Sequence, residues 1–183
     1  MKGFLNKLTP FHWFLIKAVG LYVIWIAVCE PLLIKENGEG LNGLITVETA
    51  RVASWVIDAL PYDSTIDELP GQEGAYLLID GRKVVFIADP CNALVIIALY
   101  VGFIIAYPGP LKTKIAFIIG GSIIVFLLNV LRVIALAFNQ IYHASSLEFN
   151  HKYTFTFMVY AVVFAMWMVW ANKYSSVKFT ASK

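Results

Sequence analysis

Charged residues are scarce in this chain, and their scarcity limits the class of protein it can be. Only 14% of the 183 residues are Asp, Glu, Lys or Arg, whereas 60% are hydrophobic. Because a soluble globular domain carries about 25% charged residues, the composition excludes an ordinary water-soluble protein. The chain has no internal repeat, and its length leaves no room for a separate enzymatic domain. The sequence therefore predicts a single all-α integral membrane domain over residues 1–183.

The sequence also lacks the signatures of metal, cofactor and nucleic-acid binding. It has two cysteines and three histidines, with no CxxC motif, no HExxH motif and no histidine pair at helical spacing. This excludes the common zinc sites. It contains neither a P-loop nor a dinucleotide-binding fingerprint, and no basic aromatic surface that would bind nucleic acid. We expect no metal, no cofactor and no nucleic-acid partner.

Long apolar runs are what the sequence does contain. A membrane-spanning helix needs about 17–25 predominantly apolar residues. Four runs meet this requirement, at residues 11–32, 91–107, 115–138 and 153–171. Tryptophan and tyrosine lie near several of their ends, as expected at the headgroup level of a bilayer. We therefore predict four transmembrane helices.

Acidic residues are missing from three segments that carry lysine, and this asymmetry predicts the topology. The lysines of the two tails and of the loop between the second and third spans are Lys2, Lys7, Lys112, Lys114, Lys173, Lys178 and Lys183. All twelve Asp and Glu residues lie between Glu30 and Glu148. By the positive-inside rule, both termini are cytoplasmic and residues 33–90 face the periplasm from the inner membrane. The first run lacks a small-x-small cleavage site, so we expect it to remain as an anchor.

The predicted outer segment, residues 33–90, contains an amphipathic helix and a short β-hairpin. Residues 44–60 are apolar except for a stripe of polar residues three or four apart: Glu48, Arg51, Ser54 and Asp58. Such a helix either lies flat on the outer leaflet or packs on the rim of the bundle. Asp80-Gly81, between two short β-branched and aromatic runs, predicts the hairpin. We expect this hairpin to form part of a roof over the site.

Cys91 is the candidate nucleophile. It follows Asp89 and Pro90, which suit the N-cap and the first position of a helix, so we expect it in the first turn of the second span. There the positive end of the helix dipole favours the reactive thiolate. Two alternatives stay open: an inert cysteine packed among apolar residues, and a disulfide with Cys29 in an oxidising compartment.

Arg132 is the residue of the apolar runs whose transfer into lipid costs the most free energy. It lies inside the run that begins at Ile115, where an unpaired guanidinium costs about 3 kcal/mol or more. Asn129, three positions earlier, and Asn139, seven positions later, share its helical face. The three residues predict a polar seam that faces the interior of the bundle. The alternative is an arginine that snorkels to anchor the helix or to bind an anionic headgroup.

His151 is the candidate acid and base. It follows Asn150, a suitable N-cap, at the start of the fourth span, where an imidazole tends to stay neutral. His143 lies on the same predicted side of the membrane, in the loop 140–150, and remains an alternative. His12 belongs to the opposite side.

These motifs, in this order, resemble the exosortase/archaeosortase family, and most of all its short exosortase F-like subgroup. The stretches that carry the resemblance are Asp89-Pro90-Cys91-Asn92-Ala93, Asn129 to Ile134, and Phe149-Asn150-His151. The resemblance covers roughly residues 84–172. It implies that Cys91, Arg132 and His151 form the catalytic set on the outer face of the cytoplasmic membrane. It also favours His151 over His143.

The resemblance further implies a function. Family members process proteins with a C-terminal sorting signal, which consists of a short motif, an apolar helix and a basic tail. We therefore expect a membrane-embedded cysteine protease or transpeptidase that works through a thioacyl intermediate. Its expected partners are anchored protein substrates and membrane lipids. Asn92 and Asn129 are its expected supporting residues, and Asn129 is expected to hold the guanidinium of Arg132. Many members have a small hydroxyl residue and a glycine after the cysteine, where this chain has Asn92 and Ala93, and many have more spans.

Two other functions stay open. A non-catalytic scaffold or transporter subunit would use Arg132 to bind an anionic ligand or a partner, and it would need no free thiol. A plain intramembrane protease would differ from a transpeptidase only in the fate of the acyl group.

Overall fold

The computed structural model describes residues 10–29, 40–68, 74–88 and 91–175. In chain order, the main elements of these ranges are α1 (Pro10–Ile24), α2 (Leu41–Asp58), β1 (Ser64–Glu68), β2 (Gly74–Ile79), β3 (Arg82–Ala88), α3 (Leu94–Ala106), α4 (Leu111–Tyr142) and α5 (Phe155–Val169). Short helical turns adjoin them: π-helical turns at Trp25–Cys29, Asn150–Thr154 and Trp170–Tyr174, a 3₁₀ turn at Ala144–Ser146 and an α-helical turn at Leu147–Phe149.

Two helical stretches are long and apolar enough to cross a membrane, Leu111–Tyr142 and Ala144–Tyr174. They contain the third and fourth predicted spans, and both exceed the roughly 20 residues that a hydrocarbon core requires. The apolar helices His12–Ala27 and Leu94–Ala106 are shorter. The first two predicted spans therefore stay predictions, and residues 30–32 of the first lie outside the described residues.

One apolar core, called here the sheet-side core, lies between α2, the β-sheet and the C-terminal half of α4. Its buried side chains are Ala50, Ala53, Ile57, Ala75, Leu77, Ile79, Ile87, Val130, Val133, Ile134 and Ala137. Since each large apolar side chain contributes about 1.5–3 kcal/mol when it is fully buried, this face holds α2 firmly. The opposite face of α2 is exposed and includes Trp55. Of the two placements that the sequence left open, the structure shows a helix packed on the rest of the protein.

The β-sheet is antiparallel with the strand order β1-β2-β3. β2 and β3 form the predicted hairpin, in which Ile79 pairs with Arg82 across a two-residue turn. The turn residues Asp80 and Gly81 both have a positive φ, 51° and 72°. A two-residue turn with two positive φ values matches the twist of the flanking strands, which is why Asp-Gly favours it.

The third strand, β1, was not expected from the sequence. It lies in a stretch that predicted only turns, and the two-stranded hairpin is therefore an incomplete prediction. Ser64 explains why β1 begins where it does: its N–H donates to Asp58 Oδ1 at 2.7 Å, and its hydroxyl donates to Ser54 Oγ at 3.0 Å. The end of α2 thus holds the start of β1 beside β2. The fold is mostly helical, with a small sheet.

A second apolar core, called here the helix-bundle core, lies between α3, α5 and the N-terminal half of α4. Its buried side chains are Ala93, Tyr100, Ile104, Val125, Val163 and Trp170. Tyr100 packs on Gly121, which has no Cβ to block the ring, and its hydroxyl donates to the Phe117 carbonyl at 2.7 Å. The two cores meet along α4, between Val125 and Val130. Asn129 lies at this boundary.

Candidate active site

Cys91 lies in the connection between β3 and α3, three residues before Leu94, the first residue of α3. Its predicted position in the first helical turn is wrong, because Ala93 has a left-handed backbone (φ 67°, ψ 1°) that interrupts the helix. Asn92 Oδ1 accepts the N–H of Leu94 at 2.9 Å. The predicted N-cap, Asp89, lies outside the described residues, and Ala93 is the residue that directly precedes the helix. The helix-dipole argument for a reactive thiolate therefore does not apply.

The thiol of Cys91 faces the imidazole of His151. Sγ lies 3.8 Å from His151 Nε2, a distance at which a sulfur atom still forms a hydrogen bond. Cys91 is a free and partly exposed thiol, so it forms no disulfide, while the side chain of Cys29 lies outside the described residues. Because nucleophile and base often lie further apart when no substrate is bound, this pair has a geometry suited to proton transfer.

His151 lies inside a continuous helical stretch. Asn150 has helical backbone angles (φ −65°, ψ −42°), so its predicted role as an N-cap is wrong. Its side chain instead links neighbouring turns: Nδ2 donates to Ser146 Oγ at 3.4 Å, and Oδ1 accepts the Thr154 hydroxyl at 3.0 Å. The alternative histidine, His143, is exposed at the end of α4. The structure therefore brings His151 beside Cys91.

The positive charge of Arg132 acts electrostatically on the His151 imidazole. Its Nε is buried and has no hydrogen-bond partner among the described residues. None of the salt bridges between described side chains includes it. A buried donor without an acceptor costs about 1–3 kcal/mol. An anion bound at this position would remove that cost, and the alternative of a snorkelling arginine stays open.

Asn129 and Asn92 hold the backbone around Cys91. Asn129 is 1% exposed, and its Nδ2 donates to the Cys91 carbonyl at 2.9 Å. The structure therefore shows its Nδ2 bound to the connection before α3. Its expected role, to hold the guanidinium of Arg132, stays a prediction. Asn92 donates from Nδ2 to Asn42 and Thr46 of α2. Asn129 thus joins the Cys91 connection to α4, and Asn92, within the connection, joins it to α2.

Asn42 and Thr46 were not predicted from the sequence. Both are buried on the face of α2 that is opposite to the charged stripe from which the helix was recognised. The signal that would have found them is an amide and a hydroxyl four positions apart on an otherwise apolar helical face. Since buried polar groups almost always have partners, such a pair predicts a contact with another polar side chain.

The chemistry available here consists of a thiol, an imidazole and a guanidinium. Within the described ranges, no three His, Cys, Asp or Glu side chains come together in a way that would hold a metal ion. A thiol supplies a nucleophile, an imidazole exchanges protons near neutral pH, and a guanidinium stabilises negative charge. This combination suits acyl transfer.

The family model of transmembrane exosortases matches residues 9–171. The chain belongs to this family. The match includes α1 to α5 and all of the candidate site residues, and it makes the chain a membrane protein of a family that takes part in the processing of sorting signals. No curated protein and no solved structure matches it.

This exosortase also has an apolar cavity next to the candidate site. The cavity lies between α4 and α5, is open on one side and has a volume of about 830 Å³. Its lining includes the small residues Ala116, Gly120, Ala161 and Ala165, and also Thr154. A Cβ added to Gly120 would meet no atom within 4 Å. Thr154 follows His151 by less than one helical turn, so the cavity begins close to the Cys91–His151 pair.

Proposed function

We propose that this exosortase is a membrane-embedded cysteine protease or transpeptidase. It cleaves the C-terminal sorting signals of secreted proteins at the outer face of the cytoplasmic membrane, through a thioacyl intermediate. The observation that carries the proposal is the 3.8 Å distance between Cys91 Sγ and His151 Nε2. The nearby guanidinium of Arg132 and the family membership support it.

In the first step, His151 Nε2 accepts the thiol proton of Cys91, and the sulfur attacks the carbonyl carbon at the substrate's motif. A C–S bond forms, and the carbonyl oxygen becomes an oxyanion. Arg132 stabilises this oxyanion, because its buried Nε has no competing partner among the described residues. A donor placed in advance at such an oxygen contributes about 2.7–4 kcal/mol. The C–N bond then breaks, and His151 returns the proton to the leaving amine.

In the second step, an incoming nucleophile attacks the thioester. His151 accepts the proton of this nucleophile and transfers it to the departing sulfur, which regenerates the thiol of Cys91. Water as the nucleophile yields a carboxylate and makes the protein a protease. An amine yields a new amide bond and makes it a transpeptidase.

Four spans with both termini in the cytoplasm complete the proposed topology. α3 has 13 residues, so it extends about 20 Å and crosses together with its flanking connections or with local thinning of the bilayer. Lys112 and Lys114 at the start of α4, and Lys173 after α5, favour a cytoplasmic location for these ends by the positive-inside rule. The Cys91 connection then faces the periplasm.

The cavity between α4 and α5 is a docking place for the apolar helix of a sorting signal. Ala116 and Gly120 lie four positions apart on α4, as do Ala161 and Ala165 on α5. Small residues at this spacing let helix backbones approach closely within a membrane. Because the cavity begins near His151, a helix in it delivers the adjoining motif to the thiol. Such positioning contributes up to about 7–11 kcal/mol to lowering a barrier.

The proposal is tested first by replacing Cys91 with alanine, with Cys29→Ala as the matched control. Secreted proteins that end in a motif, an apolar helix and a basic tail serve as substrates, and the length of their C-terminus is measured by mass spectrometry. We expect the Cys91→Ala protein to be folded and unable to process them, because no other described cysteine lies beside His151. Cys29→Ala should process them. Normal processing by Cys91→Ala would eliminate the proposed nucleophile.

A non-catalytic scaffold or transporter subunit is the second candidate function. The unpartnered Nε of Arg132 favours it, because a bound anion would satisfy this donor without any chemistry. A thiol-reactive probe supplied from the periplasmic side distinguishes the two candidates. Rapid labelling of Cys91 that a sorting-signal peptide blocks supports the enzyme. An unreactive Cys91 in folded protein supports the scaffold.

A further inference from the structure

The buried side chain of Asn92 joins the Cys91 connection to α2. Its Nδ2 lies 2.6 Å from Asn42 Oδ1, 2.9 Å from the Asn42 carbonyl oxygen and 3.0 Å from Thr46 Oγ1. Its Oδ1 accepts the N–H of Leu94 at 2.9 Å. Asn92 is 2% exposed, so both ends of its amide have protein partners in a place that is closed to solvent.

α4 holds the same connection from another direction. The Asn129 amide donates to the Cys91 carbonyl at 2.9 Å, so both this carbonyl and the next residue, Asn92, are held by hydrogen bonds. This support matters because Ala93 is left-handed, a conformation that is unfavourable for a residue with a Cβ. A shift of the connection would also leave the buried amide of Asn92 without acceptors, which is costly.

We propose that Asn42 and Thr46 are positioning residues of the exosortase reaction. They hold Asn92 and, through it, the backbone of Cys91, so that Sγ stays within reach of His151 Nε2. The inference rests on the proposed function and gives α2 a part in the reaction besides its packing on the sheet and α4. Their hydrogen bonds to Asn92 connect a helix that carries no catalytic residue to the nucleophile.

The central test is Thr46→Val, which keeps the shape of the side chain and removes its hydroxyl. Thr49→Val is the matched control, because Thr49 is also buried on α2 and its hydroxyl donates to the Ile45 carbonyl of the same helix. For an anchored reporter protein with a sorting signal, we expect Thr46→Val to lower kcat about tenfold or more, since small misplacements of reacting groups slow catalysis strongly. KM should change by less than about twofold, because ground-state binding is not altered. Thr49→Val should leave both constants unchanged.

Two further variants separate positioning from general stability. Thr46→Ser restores a hydroxyl acceptor and should return kcat to near the wild-type value. In an Asn92→Ala background, Thr46→Val should have no additional effect on kcat, because Thr46 acts through Asn92. Asn42→Ala, which removes the acceptor at 2.6 Å, provides the same test if Thr46→Val does not fold.

A measurement without substrate separates this inference from the proposed function. In a Cys29→Ser background Cys91 is the sole cysteine, and the rate of its alkylation by iodoacetamide is measured. We expect His151→Ala to slow alkylation, since it removes the group that accepts the thiol proton. Thr46→Val should slow it in the same direction, and Thr49→Val should not. If these results hold but the wild type processes no sorting-signal protein, the proposed function fails and the positioning stands.

Three results would overturn the inference. The first is an equal loss of kcat in Thr46→Val and Thr49→Val. The second is a lower yield of folded Thr46→Val protein with unchanged kcat and alkylation per folded molecule. The third is a change in KM alone, because it would assign Thr46 to substrate binding.

Discussion

The sheet-side core and the helix-bundle core are held together in different ways. Around the sheet-side core, polar contacts accompany the apolar packing; they join Ser54 to Ser64, Asn42 to Asn92, Arg51 to Glu48 and Glu68, and Lys83 to Asp67. The helix-bundle core depends on apolar and aromatic contacts, such as Phe103 stacked on Trp167 with ring centroids 4.5 Å apart. A cavity of about 830 Å³ lies beside it.

The difference shows that hydrogen bonds hold one side of the candidate site, whereas a cavity adjoins its other side. The Cys91 connection is fixed by hydrogen bonds to α2 and α4, whereas His151 belongs to the helical stretch that lines the cavity. Between helices in lipid, apolar burial provides little driving force, and close packing must replace it. The candidate site lies at the boundary of the two cores, where one side holds the Cys91 connection and the other carries the cavity.

The largest expected effect on activity comes from removing the contact between Cys91 and His151, which lies at the boundary of the two cores. His151→Ala should lower the rate of sorting-signal processing about 10²–10⁴-fold, the usual contribution of a positioned acid or base. His143→Ala is the matched control and should keep the activity, because the imidazole that lies beside the Cys91 thiol is that of His151. The processing rate of an anchored reporter protein measures both variants. Loss of activity in His143→Ala alone would show that the wrong histidine was assigned.

A comparison of Arg132 with Arg51 tests whether the guanidinium at the boundary of the two cores contributes to catalysis. Arg132→Ala should lower kcat about 10²–10³-fold, as the loss of an oxyanion donor does. Arg51→Ala, on the exposed face of α2, should leave kcat unchanged, because exposed ion pairs contribute about 0–1 kcal/mol at most. Steady-state kinetics of both purified variants give the measurement. A normal kcat in Arg132→Ala would contradict its role at the oxyanion.

Two adjacent glycines of α4 distinguish the packed part of the helix-bundle core from its open part. A Cβ at Gly121 would overlap the Tyr100 ring, whereas one at Gly120 would meet nothing within 4 Å. Gly121→Ala should therefore destabilise the protein by about 1–3 kcal/mol, as overpacking does. Gly120→Ala should be neutral or stabilising by up to about 1 kcal/mol, because alanine favours the helix. Thermal unfolding in detergent measures both, and equal unfolding temperatures would refute the difference in packing.

The smallest effect is expected from filling the cavity. Gly120→Leu should raise KM for an anchored substrate about tenfold, which corresponds to about 1.4 kcal/mol of binding free energy, and leave the alkylation rate of Cys91 unchanged. Gly102→Leu on α3 is the control, since a Cβ there also meets nothing within 4 Å and Gly102 does not line the cavity. An unchanged KM in Gly120→Leu would show that the substrate helix docks elsewhere.

Local patterns in the sequence predicted the elements that depend on near neighbours. The charged stripe of α2, the Asp80-Gly81 turn and the apolar runs of α4 and α5 each need only a few residues to form. β1 was missed because its pairing with β2 and its contact with Asp58 join separate parts of the chain. The start of α3 was misplaced because Ala93 has a left-handed backbone. The two residues before it, Cys91 and Asn92, are held by hydrogen bonds to α4 and α2, which the local sequence does not reveal.

The chain alone supplies the membrane class and the chemical groups of the site, because composition and the high cost of an arginine in lipid are properties of each residue and its neighbours. Cys91 and His151 are 60 residues apart in the sequence, and their contact forms only in the folded protein. The same is true of the contact of Asn42 with Asn92, which forms only after α2 packs on the sheet-side core. Contacts between distant residues form only when burial of both cores compensates for the entropy lost in closing the long loops between them.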